Sequence, residues 1–457
     1  MNLRYRRMLY LAFIAVFLAA APLIILYAAG YRYNFKRQKI EKTGIIYIES
    51  KPADALIYLN GQYRANTPAR FTRLLPDQYS VKTEKDGYFP WQKEVAVKSN
   101  LTTFYKDIVL FKKSLPIIIA EGEIGLLAAT PDGEKIVYSL IKDGRQELRL
   151  LTLKNEIDFL IKEFDPKLYQ KLEFAGWSAG RNKALLSQTV NNSNKYLILD
   201  LENLEIKEIP GAASLNFSQI GWDLASDNYL YGLKGPNLYR IDLADASAKI
   251  LIAEPVFDFQ VQGNNVYYLT KNANELFLNK AVLNLEGAQK PKKIKLPAFA
   301  DYRLLPPEAQ YLILLDEKNQ DLSVLKADSF ADSEIEKNIV LQEKAKKIAW
   351  SQDRKNLLAW TDFEIWTFDF SGWQKNLITR LGRPISQALW YPGNKYVIYR
   401  LDRAVFAIEA GGTEIKNDLK LFELNEIENI SLDRAGKNLY FKGQAGGRRG
   451  LYKVELQ

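Results

Sequence analysis

Three observations predict an all-β protein behind one membrane helix. They are an uncharged apolar run near the N-terminus, a switch to two-residue periodicity after it, and a weak repeat every 40–45 residues. The expected order is a membrane anchor with basic flanks over 1–42, a small β-sandwich over 43–112, and a β-propeller over 113–457 with eight blades, or seven as the alternative.

The anchor is Met8–Ala29, 22 residues without a charge. A helix of that length spans a hydrocarbon core of roughly 30 Å. Arg4, Arg6 and Arg7 precede it, and tyrosines stand at both ends (Tyr5 and Tyr10, then Tyr27, Tyr31 and Tyr33), as at a membrane interface. A cleaved signal peptide is the competing reading, since Ala28-Ala29-Gly30 offers small residues for cleavage, but its apolar region would be shorter. The basic start favours a cytoplasmic N-terminus, a single pass through the cell membrane and an extracytoplasmic bulk.

In 43–112 the pairs Ile46/Ile48 and Leu56/Tyr58 and the set Tyr79/Val81/Thr83 alternate as half-buried strands do. Asn60-Gly61 is a hairpin turn signal. Thr67-Pro68, Leu75-Pro76-Asp77 and Asp86-Gly87-Tyr88 mark further turns, and strands are expected at Leu101–Tyr105 and about 107–111.

The run Gly44–Gly61, with Thr67-Pro68, Leu74–Val81 and Asp86-Gly87-Tyr88 following in order, resembles a PEGA domain. Asp54 and Asp77 stand where that family usually has Gly, in turns that Asp tolerates. The resemblance implies an exported, envelope-associated protein and carries over no catalytic residue. Gly61 and Gly87 are expected to serve turns, and Pro52 and Pro68 strand ends.

From 113 onward, eight segments share an apolar approach, a turn rich in Asp, Gly, Asn or Pro, and a strand. Their turns fall near 132, 180, 227, 263, 308, 353, 393 and 435. Four short strands per period is the pattern of propeller blades, which bury their faces only against one another. Pro116–Ala120 has no blade of its own and is expected to complete the last one beside Leu451–Glu455. Thr130-Pro131-Asp132-Gly133 and Trp350-Ser351-Gln352-Asp353 resemble the WD40-like repeats of TolB-type propellers, without the Trp-Asp and Gly-His signatures of true WD40 blades.

Composition narrows the chemistry. With no Cys and no His, thiolate and imidazole catalysis and the corresponding metal sites are excluded. No catalytic, cofactor-binding or metal residue is nominated, and no cofactor is expected. Trp177, Trp222, Trp350 and Trp390 recur at one register, and the expected role is packing between blades rather than an aromatic platform for a ligand. Asp316–Asp321 lacks calcium-loop spacing and reads as a solvated hairpin, and Gly443–Gly450 reads as a flexible hairpin in the last blade. Gln289–Lys295 reads as an exposed loop between strands. The formal charge of +9 is local: residues 1–42 hold eight basic and one acidic residue, whereas 113–457 hold 45 basic against 46 acidic. The excess brackets the anchor, where membrane lipid is the partner, and leaves no basic domain for nucleic acid. The pattern favours a membrane-anchored extracytoplasmic binding or scaffold protein, its partner an envelope protein or a cell-surface polymer. The alternative is a propeller enzyme acting on glycan or peptide through carboxylates.

Overall fold

The computed structural model describes residues 3–457, apart from 166–170, 191–192, 210–215, 274, 285–286, 298–299, 309, 328–329, 331–334 and 413–414. Ala309, in the fifth expected turn, therefore lies outside the described residues. The chain divides into two compact units: 1–114 with 413–417 and 455–457, and 115–412 with 418–454.

The first unit opens with helix α1 (Leu3–Ala28), which begins five residues before the expected start because nothing in the basic flank breaks a helix. It is long and apolar enough to cross a membrane. A hairpin, β1 (Tyr31–Asn34) and β2 (Lys39–Lys42), follows where only a basic flank was expected. Its turn is set by Asn34, whose side-chain oxygen accepts the Lys36 and Arg37 amides.

Seven strands then form two sheets: β3 (Gly44–Lys51), β4 (Leu56–Leu59), β5 (Gln62–Asn66), β6 (Ala69–Leu74), β7 (Gln78–Glu84), β8 (Trp91–Ala96) and β9 (Thr102–Val109). One sheet is ordered β6-β3-β9 and the other β5-β4-β7-β8. The two stretches expected after Leu101 are one continuous strand, β9, parallel to β3. Ile46, Ile48, Ile57, Val81, Val95 and Ile108 meet in the core between the sheets. Asn60 and Gly61 turn with φ of +52° and +79°, the left-handed pair that a two-residue hairpin needs. At Gly44 a Cβ would lie 2.4 Å from the Lys98 carbonyl, so glycine lets two backbones touch. Thr67 is a buried tie: its hydroxyl lies 2.7 Å from the Ser50 hydroxyl and accepts the Ala55 amide. Leu456 is fully buried, and its carbonyl accepts the Lys112 amide, so the last three residues belong to this unit.

Among the described residues, the second unit contains eight sheets of four antiparallel strands, over 123–164, 171–208, 219–252, 256–296, 302–344, 347–380, 385–423 and 426–455. The fourth carries an additional two-residue strand, and the eighth takes its outer strand, β10 (Ile117–Glu121), from the start of the unit. Ile117 pairs with Lys453 and Ile118 with Tyr452, so the closure expected for Pro116–Ala120 is present. Each sheet buries its second strand on both faces, which is why stretches such as Tyr311–Asp316 are buried throughout. Apolar clusters bridge neighbouring sheets from the first to the seventh, Gln387 bonds the Ile430 backbone between the seventh and eighth, and Tyr440 and Leu451 of the eighth sheet join Ile124 and Tyr138 of the first. The ring is therefore closed, and this is a β-propeller.

One expected loop is corrected. Within Gln289–Lys295, residues from Lys292 onward are the outer strand Lys292–Leu296. Ile294 and Leu296 are buried while Lys292, Lys293 and Lys295 are exposed, a two-residue alternation masked by the lysines. The glycine-rich hairpin is real and tight: Gly446 and Gly447 turn at φ +55° and +82° between Asn438–Ala445 and Arg448–Glu455. Arg448 reaches Glu121 on β10 with two hydrogen bonds, of 3.1 and 2.7 Å. Asp316 is buried and accepts the amides of Asp301, Lys318 and Asn319, so it organises its turn from within instead of facing solvent.

Candidate functional site

The inner strands of the propeller are Glu123–Ala129, Lys171–Trp177, Gln219–Asp223, Val256–Gln262, Tyr302–Glu308, Lys347–Trp350, Ile385–Trp390 and Glu426–Leu432. All four register tryptophans stand at or next to the end of an inner strand. Trp177 donates its indole N–H to the Ala129 carbonyl of the preceding sheet at 3.1 Å, and Trp390 donates to Ala349 at 3.2 Å. Trp222 is buried against Leu185 and Tyr196 of the sheet before it, and Trp350 stacks on Phe370 of its own sheet at 5.3 Å and packs on the cluster shared with Tyr311 and Ile313 of the sheet before it. The indole nitrogens of Trp222 and Trp350 are buried with no acceptor among the described residues. Packing between sheets is thus the shared role, and hydrogen bonding is added at two of the four.

The turns beyond these strands bond sheet to sheet. Asp223 accepts the Ala225 amide in its own turn and the Gly263 amide of the next sheet at 2.8 Å. Asp227 accepts the Gly180 amide, Arg434 donates its amide to Gly133, and Arg354 pairs with Glu308 at 2.7 Å. The turn residues legible in the sequence are used for this stitching.

The inner strands of the second to fifth sheets enclose a recess of about 800 Å³. Small residues at Ala175, Gly176 and Gly221 leave the space open, and Phe174, Trp177 and Trp222 wall it. Asp258 is the buried carboxylate of this wall. One oxygen accepts the Gln219 amide at 2.9 Å and the Phe259 N–H at 2.8 Å, and the other accepts the Leu304 N–H at 2.6 Å. Gln260 meets the same neighbouring strand by donating to the Leu304 carbonyl at 3.0 Å. Burial pushes the Asp258 carboxyl above the usual range, while these three donors pull the other way. Glu173, the other carboxylate on the wall, is ion-paired to Lys171 at 2.5 Å, and Arg303 to Glu317 at 3.1 Å. A second, smaller recess of about 290 Å³ lies among the turns of the first, sixth, seventh and eighth sheets, where Pro131, Gln352, Trp390 and Arg434 meet.

Gln219, Asp258, Gln260 and Arg303 escaped the sequence reading. The only signal is a polar residue on an inner strand a few positions before the turn, and it becomes meaningful once the strand is known to be inner. Gln387, which exchanges two hydrogen bonds with the Ile430 backbone, shows the same device between the seventh and eighth sheets.

The PEGA domain model matches residues 43–110, the sandwich of the first unit. Residues 43–110 form a PEGA domain. No curated protein matches the chain in sequence. The chain also has structural likenesses at low sequence identity. The Dos1 propeller is similar at 13% identity and a TM-score of 0.46, over 76% of this chain and 95% of that one. The structure titled dihydro-heme d1 dehydrogenase NirN in complex with DHE is similar at 15% identity and 0.47, over 69% of both chains. A eukaryotic initiation factor is similar at 11% and 0.47, over 74% of this chain and 89% of that one.

Proposed function

We propose that this chain is a membrane-anchored, extracytoplasmic binding or scaffold protein of the cell envelope. Helix α1 holds it in the cell membrane with the N-terminus cytoplasmic, and the propeller presents a surface for an envelope protein or a cell-surface polymer. The observation that carries this reading is the recess between the inner strands. Asp258 is held by three N–H donors, Glu173 pairs with Lys171, and aromatic rings line the wall together with the exposed Arg303, which pairs with Glu317. Such a wall suits peptide or polymer contact.

The test is site-specific photocrosslinking in intact cells from Leu305, inside the recess, with Lys162 on an outer strand as control. Capture of one defined envelope component from Leu305, lost in Arg303→Glu, supports the reading. Turnover of glycan or peptide by the purified protein, abolished by Glu173→Gln, overturns it. Protease added to spheroplasts should remove everything after α1; protection of the propeller reverses the orientation.

A further inference from the structure

The hairpin after α1 carries five basic residues, and their pairing is uneven. Lys36 meets Asp77 at 3.2 Å, and Arg37 and Lys39 share Glu41 at 3.4 and 2.8 Å. Arg32 has no carboxylate among the described residues. Its guanidinium lies over the Tyr27 ring, 3.5 Å from the centroid, and donates to the Tyr27 and Tyr31 carbonyls at 2.8 and 2.7 Å. Its second terminal nitrogen is shielded and has no acceptor among the described residues.

Arg73, distant in sequence, comes to the same ring at 5.9 Å from its centroid. The reason is local. The pairing of β3 with β6 slips between Gly44/Leu74 and Ile46/Phe71, and within that bulge Arg73 takes φ of +63°, a conformation that costs a non-glycine residue free energy. A bulge of this kind re-aims a side chain, and here it sends an exposed cation toward the last turn of α1. Two guanidiniums at one tyrosine repel each other, and among the described residues neither has a carboxylate partner to offset them.

We propose that Arg32 and Arg73, meeting over Tyr27 at the end of α1, form a binding site for the phosphate of an anionic lipid head group. The site stands one residue inside the end of the helix, where head-group phosphates lie if α1 spans the bilayer, and the inference rests on that anchor reading. A guanidinium fork matches phosphate oxygens, and the exposed Arg73 presents one beside the positive charge of Arg32. A zwitterionic head group brings its own cation to a doubly positive site, so an anionic lipid is preferred.

The test uses the full-length chain in nanodiscs of phosphatidylcholine with a minority of phosphatidylglycerol, reading lipid retained on the protein by native mass spectrometry. Phosphatidylglycerol should be enriched, and Arg32→Gln/Arg73→Gln should lower the enrichment about tenfold, the scale of two charge contacts at a lipid surface. Arg32→Lys/Arg73→Lys, which keeps the charge and loses the fork, should fall between. Equal enrichment in wild type and the Gln variant overturns the proposal, as does full displacement of the lipid by inorganic phosphate. Flotation of each variant with pure phosphatidylcholine vesicles, alongside its strand circular dichroism, separates the two readings. A wild-type chain that does not float refutes the anchor, whereas variants that float normally and lose only the lipid preference support the site.

Discussion

The PEGA domain and the propeller bury apolar surface in opposite ways. The PEGA domain closes two sheets over one core centred on Ile46, Ile48, Ile57 and Val81, so each core residue belongs to the whole domain. Among the described residues of the propeller, the apolar clusters are each shared by two neighbouring sheets. The lesson is that damage in the first is global to a small unit, whereas in the second it depends on whether the ring stays closed.

Six variants would break or sharpen that comparison. Ile46→Ala, fully buried in the PEGA core, should cost about 4 kcal/mol. Calorimetry should show the PEGA transition shifted and the propeller transition unmoved; a joint shift would mean the units do not unfold separately. Gly450→Ala attacks the closure instead. A Cβ there would sit 2.1 Å from the Ala120 carbonyl, so β10 must move, at about 3 kcal/mol, with faster proteolysis of 115–121 as the readout. Gly232→Ala strikes inside one sheet, where a Cβ would meet the Phe217 ring at 2.6 Å; about 2 kcal/mol is expected from chemical denaturation.

The tryptophan register offers a finer contrast. Trp177→Phe and Trp222→Phe remove the same ring volume, but only the first breaks a hydrogen bond and strands the Ala129 carbonyl. Trp177→Phe should therefore cost about 1 kcal/mol more in matched denaturant titrations. Equal costs would remove the hydrogen bond from the account.

The smallest effect concerns pH. Tyr399, buried on a second strand, donates to Asp418 on the outer strand at 2.8 Å, as Tyr138 does to Asp158 at 2.7 Å in the first sheet. Burial raises the Asp418 carboxyl above its ordinary 3.8. The folded state then holds that proton more tightly than the unfolded one. Its contribution to stability is complete below pH 3.8 and is lost as pH rises through the raised folded value. Asp418→Asn keeps an acceptor for Tyr399 and should flatten that part of the stability–pH curve; an unchanged slope would assign it to other carboxyls, such as Asp223 and Asp258, which burial also raises.

Much of the architecture was legible because it is written in local chemistry. Asn60-Gly61 and Gly446-Gly447 can turn where few other residues can, and the recurring Asp and Gly turns spaced the sheets. Lys292–Leu296 was misread because its lysines outweigh the two buried residues that make it a strand. The tyrosine–aspartate pairs and the residues of the recess left no such trace, since Gln219, Asp258 and Leu304 lie about one repeat apart and meet only when neighbouring inner strands are brought together.

By itself the sequence determined the apolar helix, the two-residue alternation of the PEGA domain, the repeat, and the absence of imidazole and thiol chemistry. All of these depend on residues within a few positions of one another. Only the tertiary structure decided that Arg73 turns toward Tyr27 and that Asp258 is held by donors from the neighbouring inner strands. Each of those depends on which distant backbone supplies the partner, and periodicity along one strand carries no information about that.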